Sequence, residues 1–292
     1  MSGMLWWILS AVAIGALFEL WSRRSLRRGA QGLLATMETL YQGAHEYRST
    51  SLDNYPYIDR RFYESVTASL RQAGFAELGD VEDVTVSSTG PGLPTAIRVM
   101  VSADGTVMAG VFHVKVAGLL GLLLRAMRLN PVRIVDLETA IDDGRFMTTS
   151  NAPLVGNLAQ PPELFAEFLP PSTSVSGLLA RHQERLAEHL RGHRDSRPMP
   201  ARSLVEVLRH QERLEEIKAR FRKARPGMVS ADEIARLGGK RLGGVAEDLS
   251  EEMIRQQAAG RQAGARSGAA PPPVEQPRST VPGTGQSEGD RS

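Results

Sequence analysis

The side chains that could do chemistry in this chain fall into three sets. Glu77, Asp80, Glu82 and Asp83 form one acidic group, and Asp136, Glu138, Asp142 and Asp143 form a second. Paired carboxylates can hold a divalent cation or share general acid and base work. On turns and solvated strand faces they do neither. His182, His189 and His193 are spaced i, i+7 and i+11 and share a helix face. Metal ligands on one helix sit three or four residues apart, so only His189 and His193 have that spacing, and no acidic partner is fixed between them. Imidazoles flanking an apolar stripe account for them without a metal, and His113, among Val and Phe, reads the same way. Thr148-Thr149-Ser150-Asn151 offers hydroxyls and an amide with no base placed beside it, as at a strand end closing in an Asx-type turn.

Several chemistries are excluded. The chain has no Cys, which removes disulfides, CxxC redox motifs, iron–sulfur ligation and thiol nucleophiles. It has no P-loop, no G-x-S-x-G elbow and no H-E-x-x-H. Gly90-Pro91-Gly92 reads as a turn, and the glycines around Lys240 and Arg241 follow no strand that would make them a phosphate loop. No metal and no cofactor is expected. With 292 residues, 41% hydrophobic and 23% charged, the composition is that of an ordinary globular chain. A net charge of +2 supplies no general argument for nucleic acid.

The elements that would position these groups begin with Met4 to Trp21, in which Glu19 is the one charge. Eighteen residues at about 1.5 Å each span roughly 27 Å, enough for a bilayer core. Trp6, Trp7 and Trp21 sit near its ends, and Arg23, Arg24, Arg27 and Arg28 follow it directly. Interfacial tryptophans and a one-sided arginine cluster predict a membrane anchor over 4–21 with the N-terminus outside and the bulk of the chain cytoplasmic. Four Lys against 31 Arg suggests a GC-rich bacterial source, hence a bacterial inner-membrane, single-pass protein with the lipid bilayer as a partner. An amphipathic stalk helix is expected over 22–48, with Leu26, Ala30, Leu33, Leu34, Met37 and Leu40 on one face.

Residues 56–171 read as an α+β domain: a helix around Phe62–Leu70, then a mainly antiparallel sheet of about five strands packed with helices. Ala103-Asp104-Gly105 and Asp142-Asp143-Gly144 are hairpin signals. Val84-Thr85-Val86 is expected to open the sheet, and Glu163–Phe168 to form a short helix after Pro161-Pro162. The apolar insertion 117–129 is either a buried crossover helix or a membrane contact, with Leu119, Leu120, Leu123, Arg125 and Arg128 as the contact residues.

Two amphipathic helices follow over 172–225, expected to pair as an antiparallel hairpin. The hexapeptide Arg-His-Gln-Glu-Arg-Leu occurs in both, at Arg181–Leu186 and Arg209–Leu214. Arg181 to Arg225 holds thirteen Lys/Arg against seven Asp/Glu. Ser203 with Glu206, and Ser230 with Glu233, are capping-box pairs. Short helices are expected over 226–258 and a disordered tail over 259–292, which has scarcely any large apolar residue.

Two functional classes follow. The first is a membrane-anchored, cytoplasmic-facing binding or scaffolding module that engages lipid, a protein partner or a second copy of itself. The second is a membrane-anchored enzyme, a hydrolase whose Asp136, Glu138 or Asp143 lines a cleft. Nucleic acid ranks last, since the basic helices lack interleaved aromatics.

Overall fold

The structure is a computed structural model that describes residues 24–89, 94–114, 132–152, 158–238 and 245–266. The chain divides into two units, Met1–Gln257 and Ala258–Ser292. Helix α1 covers 24–40. It is followed by β1 (Tyr47–Thr50), α2 (Arg60–Gln72), β2 (Ala76–Asp83), α3 (Val84–Thr89), β3 (Ala96–Val101) and β4 (Met108–Val114). Then come β5 (Val132–Ala140), β6 (Phe146–Ser150), β7 (Leu164–Phe168), α4 (Val175–Gly192), α5 (Leu204–Lys223), α6 (Ala231–Gly238) and α7 (Ala246–Arg266).

The seven strands form one sheet in sequence order, β1 to β7. Every neighbouring pair is antiparallel except β6 and β7, which run parallel. Tight turns join β3 to β4 and β5 to β6. Gly105 is required in the first: its φ is +81°, and a Cβ there would lie 3.1 Å from the Ala201 carbonyl oxygen.

Strand alternation sorts side chains to two faces. Ala96, Met100, Ala109, Val111, Val135 and Leu137 point to one, where Tyr63, Val66 and Leu70 of α2 and Leu178 and Leu179 of α4 cover them. Val99, Met108, Ala140 and Phe146 point to the other, where Val207 and Leu214 of α5 cover them. A separate helical core joins Ala30, Leu34 and Met37 of α1 to Ile234 of α6 and Ala246 and Met253 of α7.

The structure corrects several expectations. The sheet has seven strands, not about five, and the parallel β6–β7 pair makes it mixed. Three strands were not expected, β1, β2 and β7: β2 is Ala76–Asp83, while Val84-Val86 turns into α3. An acidic stretch tolerates strand geometry because arginines meet it: Arg98 Nε lies 2.9 Å from Asp80, Arg71 Nη2 2.8 Å from Glu77 and Arg48 Nη2 2.9 Å from Glu82. In β7, Leu164–Phe168 pairs with β6 instead of winding into a helix. The expected stalk helix ends at residue 40, and its last residues enter β1. The helices α4 and α5 do not form a hairpin; they lie on opposite faces of the sheet. The tail expected to be disordered from 259 is helical to Arg266, and its remainder lies outside the described residues.

The membrane assignment is also corrected. Among the described residues no helix is long and apolar enough to cross a membrane. The expected span 4–21 lies outside the described residues, and α1 behind it packs its apolar stripe into the helical core. The single-pass inner-membrane localisation therefore has no support in the structure.

Candidate functional site

The two carboxylates read from β5 come together at a definite place. Asp136 and Glu138 are two residues apart on one strand and so face the same way, toward α5. That helix presents Gln211, Glu215 and Lys218 to them, at helical spacings i, i+4 and i+7. Gln211 Nε2 donates to Glu138 Oε2. Lys218 Nζ donates to Glu215 Oε1 at 2.9 Å and keeps a 24% exposed side chain. Asp136 Oδ1 is buried with no hydrogen-bond partner, and so is Oγ1 of Thr148, the residue opposite Glu138 on β6.

Burial, with Glu138 beside it, holds the Asp136 carboxyl well above the usual range. Burial raises Glu138 as well. Burial works against the charge of Lys218, but Glu215, Glu138 and Asp136 outweigh it and keep the ammonium protonated. From the β1 side, Tyr47 and the His45–Asp83 pair extend this polar seam. Asp83 Oδ2 lies 2.6 Å from His45 Nδ1, and that hydrogen bond raises the imidazole's pKa.

Asp143 is not part of this seam. It sits on the β5–β6 turn, where it accepts from Ser196 Oγ at 3.1 Å and lies 4.0 Å from His189 Nε2. His189 and His193 stack with ring centroids 4.3 Å apart. His182 is fully buried on the opposite face between Thr139 Oγ1, at 2.9 Å, and Thr149 Oγ1, at 3.1 Å, and burial lowers its pKa to about 4. His113 Nδ1 accepts from the Asp59 N–H at 3.0 Å. Asn151 closes β6 by accepting from Val135 N at 2.8 Å and donating to Arg133 O at 3.2 Å. Among the described residues no group of three or more His, Asp or Glu is placed to hold a metal ion.

The other feature of interest is the outer edge of the sheet. Val84 N donates to Glu46 O across the β1–β2 pair at 2.8 Å. Hydrogen-bonded pairs alternate in an antiparallel ladder, so Arg48 and Glu82 form the next bonded pair. Tyr47 and Ser49 then turn their N–H and C=O groups to the side that no described strand occupies. A depression of about 370 Å³ adjoins this edge, lined in part by Arg48, Ser49, Thr50, Asn54, Tyr55 and Glu82. Its walls are braced: Tyr55 Oη donates to Glu82 Oε2 at 2.7 Å, and Arg48 reaches the same oxygen. Burial works to raise the Glu82 carboxyl, and the Tyr55 and Arg48 bonds overcome it and hold it below the usual range. The opposite edge is partly capped, since Arg185 Nη2 donates to the Phe165 carbonyl of β7 at 2.6 Å.

The other predicted site residues are not brought to either place. Trp6, Trp7, Trp21, Arg23, Leu119, Leu120, Leu123, Arg125 and Arg128 lie outside the described residues. Arg24, Arg27 and Arg28 are exposed on α1, where Arg27 Nε lies 3.7 Å from Glu252 of α7. Sequence reasoning missed Gln211, Glu215, Lys218, His45 and the β1 edge. The first three were legible as polar residues interrupting the α5 stripe, but a helix wheel does not say what strand lies beneath. No family model, curated protein or solved structure matches the chain.

Proposed function

We propose that the chain is a binding module that takes an extended peptide segment of a protein partner along the free edge of β1. The observation that supports this is the edge itself: outward backbone groups at Tyr47 and Ser49 beside a braced polar depression. An added strand gains main-chain hydrogen bonds from such an edge, and an adjoining depression can select its alternate side chains. Natural edges are commonly guarded by proline, bulges or charge. β1 has no Pro, its pairing with β2 is regular, and its one charge, Arg48, is engaged by Glu82.

The test is selection from a displayed library of random peptides on the full chain, with affinities then measured by fluorescence anisotropy. Ser49→Pro removes the outward N–H and leaves the β1–β2 ladder intact, and it should weaken the selected peptides roughly tenfold, about 1.4 kcal/mol. Equal binding by the variant would sink the reading.

One observation favours a second reading, a hydrolase using Asp136 and Glu138: carboxyls with raised pKa values beside a lysine are the raw material of acid–base catalysis. It requires hydrolytic turnover on a substrate panel that Asp136→Asn abolishes.

A further inference from the structure

We infer that the middle of α5 is latched to the sheet by protons held on Asp136 and Glu138, so that losing them loosens Gln211–Lys218 and admits water. Three carboxyls and one ammonium face each other there. β5 supplies two carboxyls, and α5 supplies a third, Glu215, with one ammonium, Lys218. Lys218 is already paired with Glu215 at 2.9 Å. Glu138 has one amide donor, from Gln211. Asp136 Oδ1 has none.

The other elements packed on this face bring no compensating charge. β4 contributes Met108, Gly110 and Phe112. β6 contributes Phe146, Thr148 and Ser150, whose hydroxyl lies 3.4 Å from the Val135 carbonyl and also reaches the Asp136 carboxyl, a neutral donor that brings no charge. β1 contributes Tyr47, whose phenol burial keeps neutral. His45 acts on Glu215 from that side, but its charge is matched by Asp83 at 2.6 Å. With every carboxyl ionised, three buried anions would share the one ammonium of Lys218, an imbalance that a folded protein avoids by protonation or by opening. With both protonated the cluster is neutral.

An independent observation points to the same place. Thr148 is 5% exposed and its Oγ1 has no partner, although it stands opposite Glu138 across β5 and β6. A protonated carboxyl can donate, which an ionised one cannot. The unspent acceptors Thr148 Oγ1 and Asp136 Oδ1 are what a proton-bearing cluster needs.

The direction with pH follows from linkage. A carboxyl raised on folding stabilises the closed state fully below its unfolded value, and that stabilisation is lost as pH rises toward the folded one. One proton corresponds to roughly tenfold in the open-to-closed ratio per pH unit in that window.

The experiment is hydrogen exchange by mass spectrometry on the full chain from pH 5 to 8, corrected for the intrinsic rate, on wild type, Asp136→Asn and the turn control Asp143→Asn. The expected result is protection over Gln211–Lys218 that falls by up to about a hundredfold per pH unit in wild type and in Asp143→Asn, where two protons are lost, and by about tenfold in Asp136→Asn, where Glu138 alone titrates. A flat wild-type profile, or an unchanged slope in Asp136→Asn, overturns the latch. If Asp136→Asn does not fold, a carboxyl-carbon NMR titration of wild type decides instead. Asp136 titrating above the ordinary carboxylate range supports the latch, and Asp136 titrating within it overturns it.

Discussion

A buried charge is stable when each of its lone pairs has a donor, and Glu233 meets that condition where Asp136 does not. Glu233 is fully buried. Its Oε1 accepts from Arg222 at 2.8 Å and from Ala159 N at 2.6 Å, and its Oε2 accepts from Ser230 N at 2.7 Å and Arg225 at 3.3 Å. Burial works to raise this carboxyl, but the backbone bonds from Ser230 and Ala159 and the Arg222 pair hold it at about 2. Its contribution is therefore present above the ordinary carboxylate value and lost as pH falls toward 2. Glu233→Ala leaves Arg222 buried and unpaired, so urea unfolding at pH 7 should show a loss of about 3–5 kcal/mol that shrinks on acidification. His182 gives a second acid-side prediction. Buried and neutral, with its pKa lowered to about 4, it withholds a proton that the unfolded chain takes up near 6.5. Stability should decline as pH falls from about 6.5 to 4, and chemical unfolding across that range should show a smaller decline in His182→Gln. The Ser230–Glu233 capping pair was legible in the sequence. That Arg222, eleven residues earlier, would be its counter-ion was not, because α5 and α6 meet only in three dimensions.

At the scale of elements, the repeated hexapeptide is instructive. In α4 its histidine, His182, is locked between two threonines and its Arg185 caps the Phe165 carbonyl. In α5 its glutamine, Gln211, meets Glu138 and its Leu214 is fully buried. The same six residues serve opposite faces of one sheet, so the two copies should respond differently to the same change. Leu214→Ala should cost about 2–5 kcal/mol in denaturant unfolding, and Leu186→Ala, half-buried, clearly less. The strand β2 teaches a similar lesson. Its alternation was hidden because Glu77, Asp80 and Glu82 stand where apolar or neutral residues usually do, and the arginines that make them tolerable come from α2, β3 and β1. By contrast, β3 through β6 were readable, since their apolar residues alternate and their turns carry glycine.

At the scale of the molecule, the sheet core and the helical core of α1, α6 and α7 are separate clusters. The helical core includes Met253, fully buried, and contains no strand residue. Met253→Ala should therefore weaken hydrogen-exchange protection in α1 and α6 far more than in β3–β5, with a cost of about 2–5 kcal/mol confined to the helical core. Equal losses in both cores would show that they unfold as one unit.

The sequence by itself determined the α+β class, the two glycine turns, the helix caps at Ser203 and Ser230, and the alternation of β3 and β4. These follow from local steric and hydrogen-bonding preferences and from the two-residue period of a strand. The acidic face of β5, which reads as solvated, is instead covered by α5. Only the tertiary structure decided that β2 and β7 are strands, that α4 and α5 lie on opposite faces, and that Asp136 and Glu138 meet Lys218 while Asp143 does not. Those outcomes depend on partners distant in sequence, whose charge and hydrogen bonds override local propensity wherever burial makes an unpaired polar group costly.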